Sequence, residues 1–121
     1  MEGKGNFFSP IVLEGITKEN PGYQWEFFGP VFTLYKAASQ EEIIAIANGV
    51  DYGLGGSIYS KDEERAQQVA MEVETGSITI NAPFYPNCNL PFGGTKSSGY
   101  GREGGLQGFH EFTNIKSVAI P

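Results

Sequence analysis

Cysteine, histidine and tryptophan each occur once in the 121 residues, as Cys88, His110 and Trp25. A single thiol excludes an internal disulfide and any zinc site built from several cysteines. Cations are also scarce, with eight Lys and Arg against 14 Asp and Glu, for a formal charge of −6. Those eight are scattered, so the basic cluster that phosphate backbones require is missing and nucleic acid is excluded as a partner. The longest aliphatic run, Ile43 to Ala47, is far too short to span a bilayer. Met1 to Pro10 lacks the charged and then apolar stretches of an export signal, and no Asn-x-Ser/Thr sequon occurs. Together these absences lead us to expect a reducing, cytoplasmic setting and no membrane partner.

What is plentiful is glycine and proline, 17 and seven residues without a repeat, which points to long ordered loops. The length suits one domain able to bury roughly two thirds of its unfolded surface. Ser39-Gln40-Glu41-Glu42 has the form of a capping box, and Ile43, Ile46, Ala47 and Val50 follow at helical spacing. Ser60-Lys61-Asp62-Glu63 repeats the device ahead of Ala66, Val69, Ala70 and Val73, with Gly49 and Gly76 as the expected stops. Val31 to Lys36, Gly56 to Ser60 and Ser77 to Asn81 read as strands, being short and rich in Val, Ile, Phe, Tyr and Thr. The alternation predicts an α/β fold, a parallel-sheet layer built from βαβ units with flanking helices. Phe7 to Ile16 reads as a further extended segment, Leu106 to Phe112 as a short helix and Ile115 to Ile120 as a last strand. Pro83 to Gly101 is an irregular loop leaving the carboxyl end of a strand, where open α/β sheets bind ligands.

Several stretches carry chemistry-bearing residues. Gly99-Tyr100-Gly101-Arg102-Glu103-Gly104 matches G-x-G-x-x-G, yet no strand is expected before it and the acid due about 20 residues later falls beyond Pro121. Gly93-Gly94-Thr95-Lys96-Ser97 is not a phosphate loop, because Thr95 and Leu90 stand where glycines are required. Cys88 and His110, with Asn81, Asn87 or Asn114 as orienting group, supply the residue types of a thiol hydrolase, though nothing in the sequence brings them together. Glu26-Phe27-Phe28-Gly29-Pro30-Val31 sets a carboxylate beside two aromatics and a Gly-Pro turn. It reads equally as a turn stapled into the core, or as a carboxylate accepting two sugar hydroxyls beside a ring that walls a flat heterocycle.

Three of these stretches resemble the NAD(P)-dependent aldehyde dehydrogenase family, with a succinate-semialdehyde dehydrogenase flavour. Glu26 to Val31 is similar to its E-x-F-G-P-V. Ala47-Asn48 through Asp51-Tyr52-Gly53-Leu54 is similar to A-N-x-x-x-Y-G-L, and Leu90 to Glu103 to P-F-G-G-x-K-x-S-G-x-G-R-E. Order and spacing agree along nearly the whole chain, including Phe8 to Leu13 and Glu111 to Val118. The resemblance implies an enzyme that oxidises an aldehyde to an acid by thiolate attack, hydride transfer to NAD or NADP, and thioester hydrolysis. It implies that Glu26 binds the nicotinamide ribose and that Phe28 lies against the nicotinamide. It also implies that Asn81 to Phe92 lines the aldehyde pocket, with Asn81, Pro86 and Phe92 as pocket residues and Phe84 and Tyr85 tuning its width.

The family's nucleophile lies in a Gly-Gln-x-Cys-type segment that is absent here, so the resemblance assigns no catalytic residue and gives Cys88 no such role. The chain is therefore expected to be the C-terminal portion of the catalytic domain, residues 1–113, followed by an oligomerisation strand, residues 114–121. Alone it should be inactive and self-associate through that strand as a homo-oligomer. The alternative is a small non-catalytic interaction module that pairs with full-length dehydrogenase subunits.

Overall fold

The computed structural model describes residues 5–121, which fall into two compact units divided after Gly49. In the first, strands β1 (Ile11–Glu14) and β2 (Val31–Leu34) pair in parallel, Ile11 opposite Val31 and Glu14 opposite Leu34. A connection without an α-helix joins them. It contains one 3₁₀ turn at Pro21–Tyr23, started by the Asn20 side chain, which accepts from Gly22 N at 2.8 Å. The turn is anchored to β2's exit, where Tyr35 donates its hydroxyl proton to Tyr23 O at 3.2 Å and the two rings meet edge-on at 5.3 Å.

Helix α1 (Gln40–Asn48) begins where the sequence indicates. Ser39 Oγ accepts from Glu42 N at 3.2 Å, satisfying one of the amides left free at a helix start. The Glu42 carboxylate reaches back one residue further than a capping box requires and accepts from Ala38 N at 2.6 Å. Gly49 ends the helix, and its carbonyl accepts from Gln24 Nε2 at 3.0 Å.

The second unit contains a parallel βαβ element. Strand β4 (Gly55–Ile58) pairs with β5 (Ser77–Ile80) and helix α2 (Glu63–Glu72) connects them. Two α2 side chains, Ala66 at 1% exposure and Val69 at 9%, are the buried apolar residues among those described, three apart on the face expected to pack. The α2 cap is Asp62, whose carboxylate accepts from Arg65 N at 3.0 Å, and not Ser60. The Ser60 hydroxyl instead accepts from Asp62 N at 3.1 Å, and the Ser60 backbone is held by a partner 21 residues away. Asn81 Oδ1 accepts from Ser60 N and Asn81 Nδ2 donates to Ser60 O, both at 2.9 Å. The helix stops at Glu72 with Val73 extended, so Gly76 is not its terminator. Gly76 serves a close approach instead, because a Cβ there would stand 1.6 Å from Gly93 O.

Residues before and after this element are clasped together. Strand β3 (Tyr52–Gly53) pairs antiparallel with β6 (Thr95–Lys96), Ser97 N donates to Asp51 O at 2.9 Å, and Gly53 N donates to Ser98 Oγ at 2.9 Å. Lys96 Nζ meets Glu74 at 2.7 Å and donates to Val50 O at 3.1 Å. Phe92 then bridges Glu103, and α3 (Gly105–His110) follows. The loop expected to be irregular from Pro83 to Gly101 is thus interrupted by a strand. The short helix expected at Leu106 to Phe112 lies earlier and ends sooner.

Two further expectations are corrected. The single parallel layer is divided into three two-stranded sheets, because no strand exceeds four residues and no described strand extends any ladder. Ile115 to Ile120 forms no strand: strand structure is completed by a neighbour, and none of the described residues pairs with it, leaving Ile115 99% exposed. Parallel strands are ordinarily covered on both faces, yet Val12, Leu34 and Phe32 are exposed, the last at 62%.

Candidate functional site

The residues marked by the sequence fall at two places, one in each unit. In the first unit the turn before β2 alternates its aromatics. Phe27 points inward, its ring tip 3.2 Å from where a Cβ on Gly22 would lie, and its ring meets Trp25 edge-on at 6.4 Å. Phe28 points outward at 94% exposure and holds φ at +47°, a left-handed conformation that costs a residue with a Cβ roughly 1–2 kcal/mol. Val31 N closes the turn onto Gly29 O at 2.7 Å. Glu26 is exposed, and among the described residues nothing pairs with its carboxylate. The turn thus displays a free bidentate acceptor and an open ring face two residues apart. An exposed carboxylate can accept from two neighbouring hydroxyls, and an exposed ring can pack on a flat heterocycle.

In the second unit, Asn81 ends β5 with φ at +55°, which asparagine tolerates better than most residues. Its amide is spent on the Ser60 backbone, so it fixes the point from which the loop departs. Pro86 is exposed farther along, and Phe92 is half-buried at the loop's end. Phe92 N donates to Glu103 O at 2.6 Å and Glu103 N to Phe92 O at 2.8 Å. The Phe92 ring stacks on Phe84 with centroids 6.2 Å apart and planes 22° from parallel. The sequence reading gave Phe84 a general role in pocket width and missed what supports it. The signal was present as a glycine pair, Gly55-Gly56, inside a strand, which often marks a close approach.

The glycine-rich stretch after Phe92 locks the fold. Arg102 Nη1 donates to the carbonyls of Gly94 at 2.8 Å and Gly101 at 2.6 Å, and Arg102 N donates to the Glu111 carboxylate at 3.3 Å. Gly99, Gly101 and Gly104 all have positive φ, so the G-x-G-x-x-G match is a series of turns and not a strand-to-helix phosphate loop. Cys88 is exposed and its carbonyl accepts from Gly105 N at 2.9 Å, while the His110 ring meets Phe109 edge-on. No group of three His, Cys, Asp or Glu among the described residues could hold a metal ion. No helix among them is long and apolar enough to cross a membrane. A cavity of about 770 Å³ in the first unit, lined in part by Glu14, Lys18, Tyr23, Lys36 and Ile46, contains none of the residues marked by the sequence.

Comparison with known proteins agrees with the motifs. The profile of the aldehyde dehydrogenase family matches residues 1–118. The chain is 45% identical over 117 residues to a succinate-semialdehyde dehydrogenase [NADP(+)] of Deinococcus radiodurans, covering 97% of this chain and 24% of that protein. Among solved structures it superposes on succinic semialdehyde dehydrogenase from Streptococcus pyogenes in complex with NADP+, with a TM-score of 0.85 and 48% identity, over 91% of this chain and 24% of that one. It also superposes on a Mycobacterium tuberculosis aldehyde dehydrogenase complexed with NAD+, with a TM-score of 0.84 and 37% identity, over 91% of this chain and 23% of that one. The chain spans about a quarter of the length of these relatives. By its motifs, its fold and its near-complete match to the family profile, the chain belongs to the aldehyde dehydrogenase family.

Proposed function

We propose that this chain is the C-terminal part of the catalytic domain of an NAD(P)-dependent, succinate-semialdehyde dehydrogenase-like enzyme, in which it supplies the nicotinamide-ribose contact and the aldehyde-pocket loop. The observation that carries this is the turn at Glu26 to Phe28, where an unpaired carboxylate and an outward ring are held by a strained backbone. Strain at an exposed non-glycine residue is ordinarily kept where function needs the geometry.

NAD or NADP, when bound, would supply the acceptor for the hydride removed from the substrate carbon. The two Glu26 oxygens would accept from neighbouring ribose hydroxyls and Phe28 would hold the nicotinamide, together limiting its drift. Hydride transfer needs reacting atoms about 3–3.5 Å apart, so that restraint is itself catalytic. Asn81, Pro86 and Phe92 contribute pocket wall. Pro83 to Leu90 contains no Lys or Arg, so this loop offers an incoming aldehyde shape and apolar contact without a charge. The nucleophilic cysteine lies outside the chain, Cys88 has no catalytic part, and the 121 residues alone are inactive. The uncovered apolar faces of β1 and β2, with Val12, Phe32 and Leu34 exposed, support a surface that the rest of the enzyme covers. The complete enzyme is a cytoplasmic homo-oligomer, and the segment from residue 114 to 121 contributes to subunit joining.

The test is Glu26→Gln in the complete enzyme. Single-turnover kinetics should show hydride transfer slowed more than acylation of the thiolate, and equal rates with wild type would remove Glu26 from the cofactor site. NAD(P)H formation by the isolated 121-residue chain with any aldehyde would refute the division of labour.

A further inference from the structure

We propose that Phe84, seated on the bare Cα of Gly55, is a positioning residue that fixes the Phe92 ring and so sets the width of the aldehyde pocket. This rests on the reading of Phe92 as a pocket wall. The Phe92 main chain is already fixed by its two hydrogen bonds with Glu103, at 2.6 and 2.8 Å. Glu103 is in turn backed by Gly108, where a Cβ would come within 2.9 Å of the Glu103 carbonyl carbon. What the bridge leaves free is rotation of the Phe92 side chain, and the Phe84 ring occupies one side of that arc, 6.2 Å away and 22° from parallel.

The Phe84 ring can lie there because β4 offers it a flat seat. A Cβ on Gly55 would stand 2.5, 2.6 and 2.8 Å from Cζ, Cε1 and Cε2 of Phe84, so the tip of the ring rests directly over the glycine. The adjacent Gly56 has nothing within 4 Å of the same construction. One glycine of the pair is therefore required by the ring and the other is not. Contact passes from β4 through Phe84 to Phe92 without a polar group. Its effect on substrates should therefore follow the bulk of the aldehyde and not its charge.

Two variants separate the possibilities. Gly55→Ala lifts the Phe84 ring, and Phe84→Leu removes it without adding atoms, which keeps the test available if the alanine variant fails to fold. In the 121-residue chain with labelled phenylalanine, both should shift the Phe92 ring resonances, and Phe84→Leu should increase the averaging of its two ring edges. Gly56→Ala should do neither. In the complete enzyme, the KM ratio between a branched or aryl aldehyde and a short linear one should change roughly 2- to 10-fold, with kcat moving less. Phe92→Ala tests the underlying reading. Unchanged ratios in that variant would remove Phe92 from the pocket and the proposal with it. Altered ratios in Phe92→Ala with unchanged ratios and ring resonances in Phe84→Leu would overturn the positioning role alone.

Discussion

Replacing Gly76 by alanine should be among the most damaging single-methyl additions to the chain. The new Cβ would lie 1.6 Å from Gly93 O and 2.7 Å from the Gly93 carbonyl carbon. Both obstacles are backbone, so no side chain can swing aside, and the carbonyl must retreat by about 2 Å to reach ordinary contact. That retreat pulls on Gly76 N, which donates to Gly53 O at 3.1 Å, and on the pairing of Gly53 with Thr95. Overpacking ordinarily costs about 1–3 kcal/mol, and each strained or lost hydrogen bond adds about 1 kcal/mol. A loss of about 2–4 kcal/mol follows, a large share of a small domain's stability. Urea denaturation followed by far-ultraviolet circular dichroism measures it, with Gly56→Ala as the internal control. Gly56 has open space and no positive φ, so alanine there should be neutral or should stabilise by about 0.4–1 kcal/mol. Equal midpoints for the two variants would refute the close-packing argument.

Two further outcomes are expected. Asp62→Ala should lower stability by about 1 kcal/mol through loss of the α2 cap, whereas Ser60→Ala should cost less; the reverse order in thermal melts would restore Ser60 as the cap. The hydrogen bond from the Thr17 hydroxyl holds the Glu19 carboxyl below its ordinary range, with its own backbone amide and Lys18 assisting. Because the folded state favours the ionised form, the associated stability is present above the ordinary carboxylate range and is lost as pH falls through the lowered value. Thr17→Val should return Glu19 toward an ordinary titration, read from its side-chain carbonyl resonance.

Legibility in the sequence followed the range of the interaction. Helix α1 was readable because Ser39, Glu42 and the spacing of Ile43 and Ile46 lie within a few residues of one another. The start of α2 lies two residues beyond Ser60 because the Ser60 hydroxyl accepts from Asp62 N and the Asp62 carboxylate makes the cap, while Asn81, distant in sequence, holds the Ser60 backbone outside the helix. Ile115 to Ile120 has strand composition but no neighbouring strand among the described residues, and composition cannot supply one. At the turn before β2, Glu26 and Phe28 were legible as a motif. The left-handed backbone of Phe28 was not, since nothing local to a Phe-Phe-Gly-Pro sequence asks a phenylalanine to adopt it. The stacking of Phe84 on Gly55 joins residues 29 apart, and only the glycine pair hinted at it.

The reciprocal bonding of Asn81 and Ser60 has a meaning beyond capping. A carboxamide presents the donor and acceptor of a peptide unit, so the side chain behaves as one extra rung on the β4–β5 ladder, added where the backbone has already turned away. The ladder ends in a clamp, and the loop swings from a fixed post. Aspartate has the same size but turns the Nδ2 donor into a second acceptor facing Ser60 O, so a single deamidation event would convert the clamp into a repulsion. Chemical ageing at this one amide would therefore loosen the root of the loop while leaving every apolar contact intact.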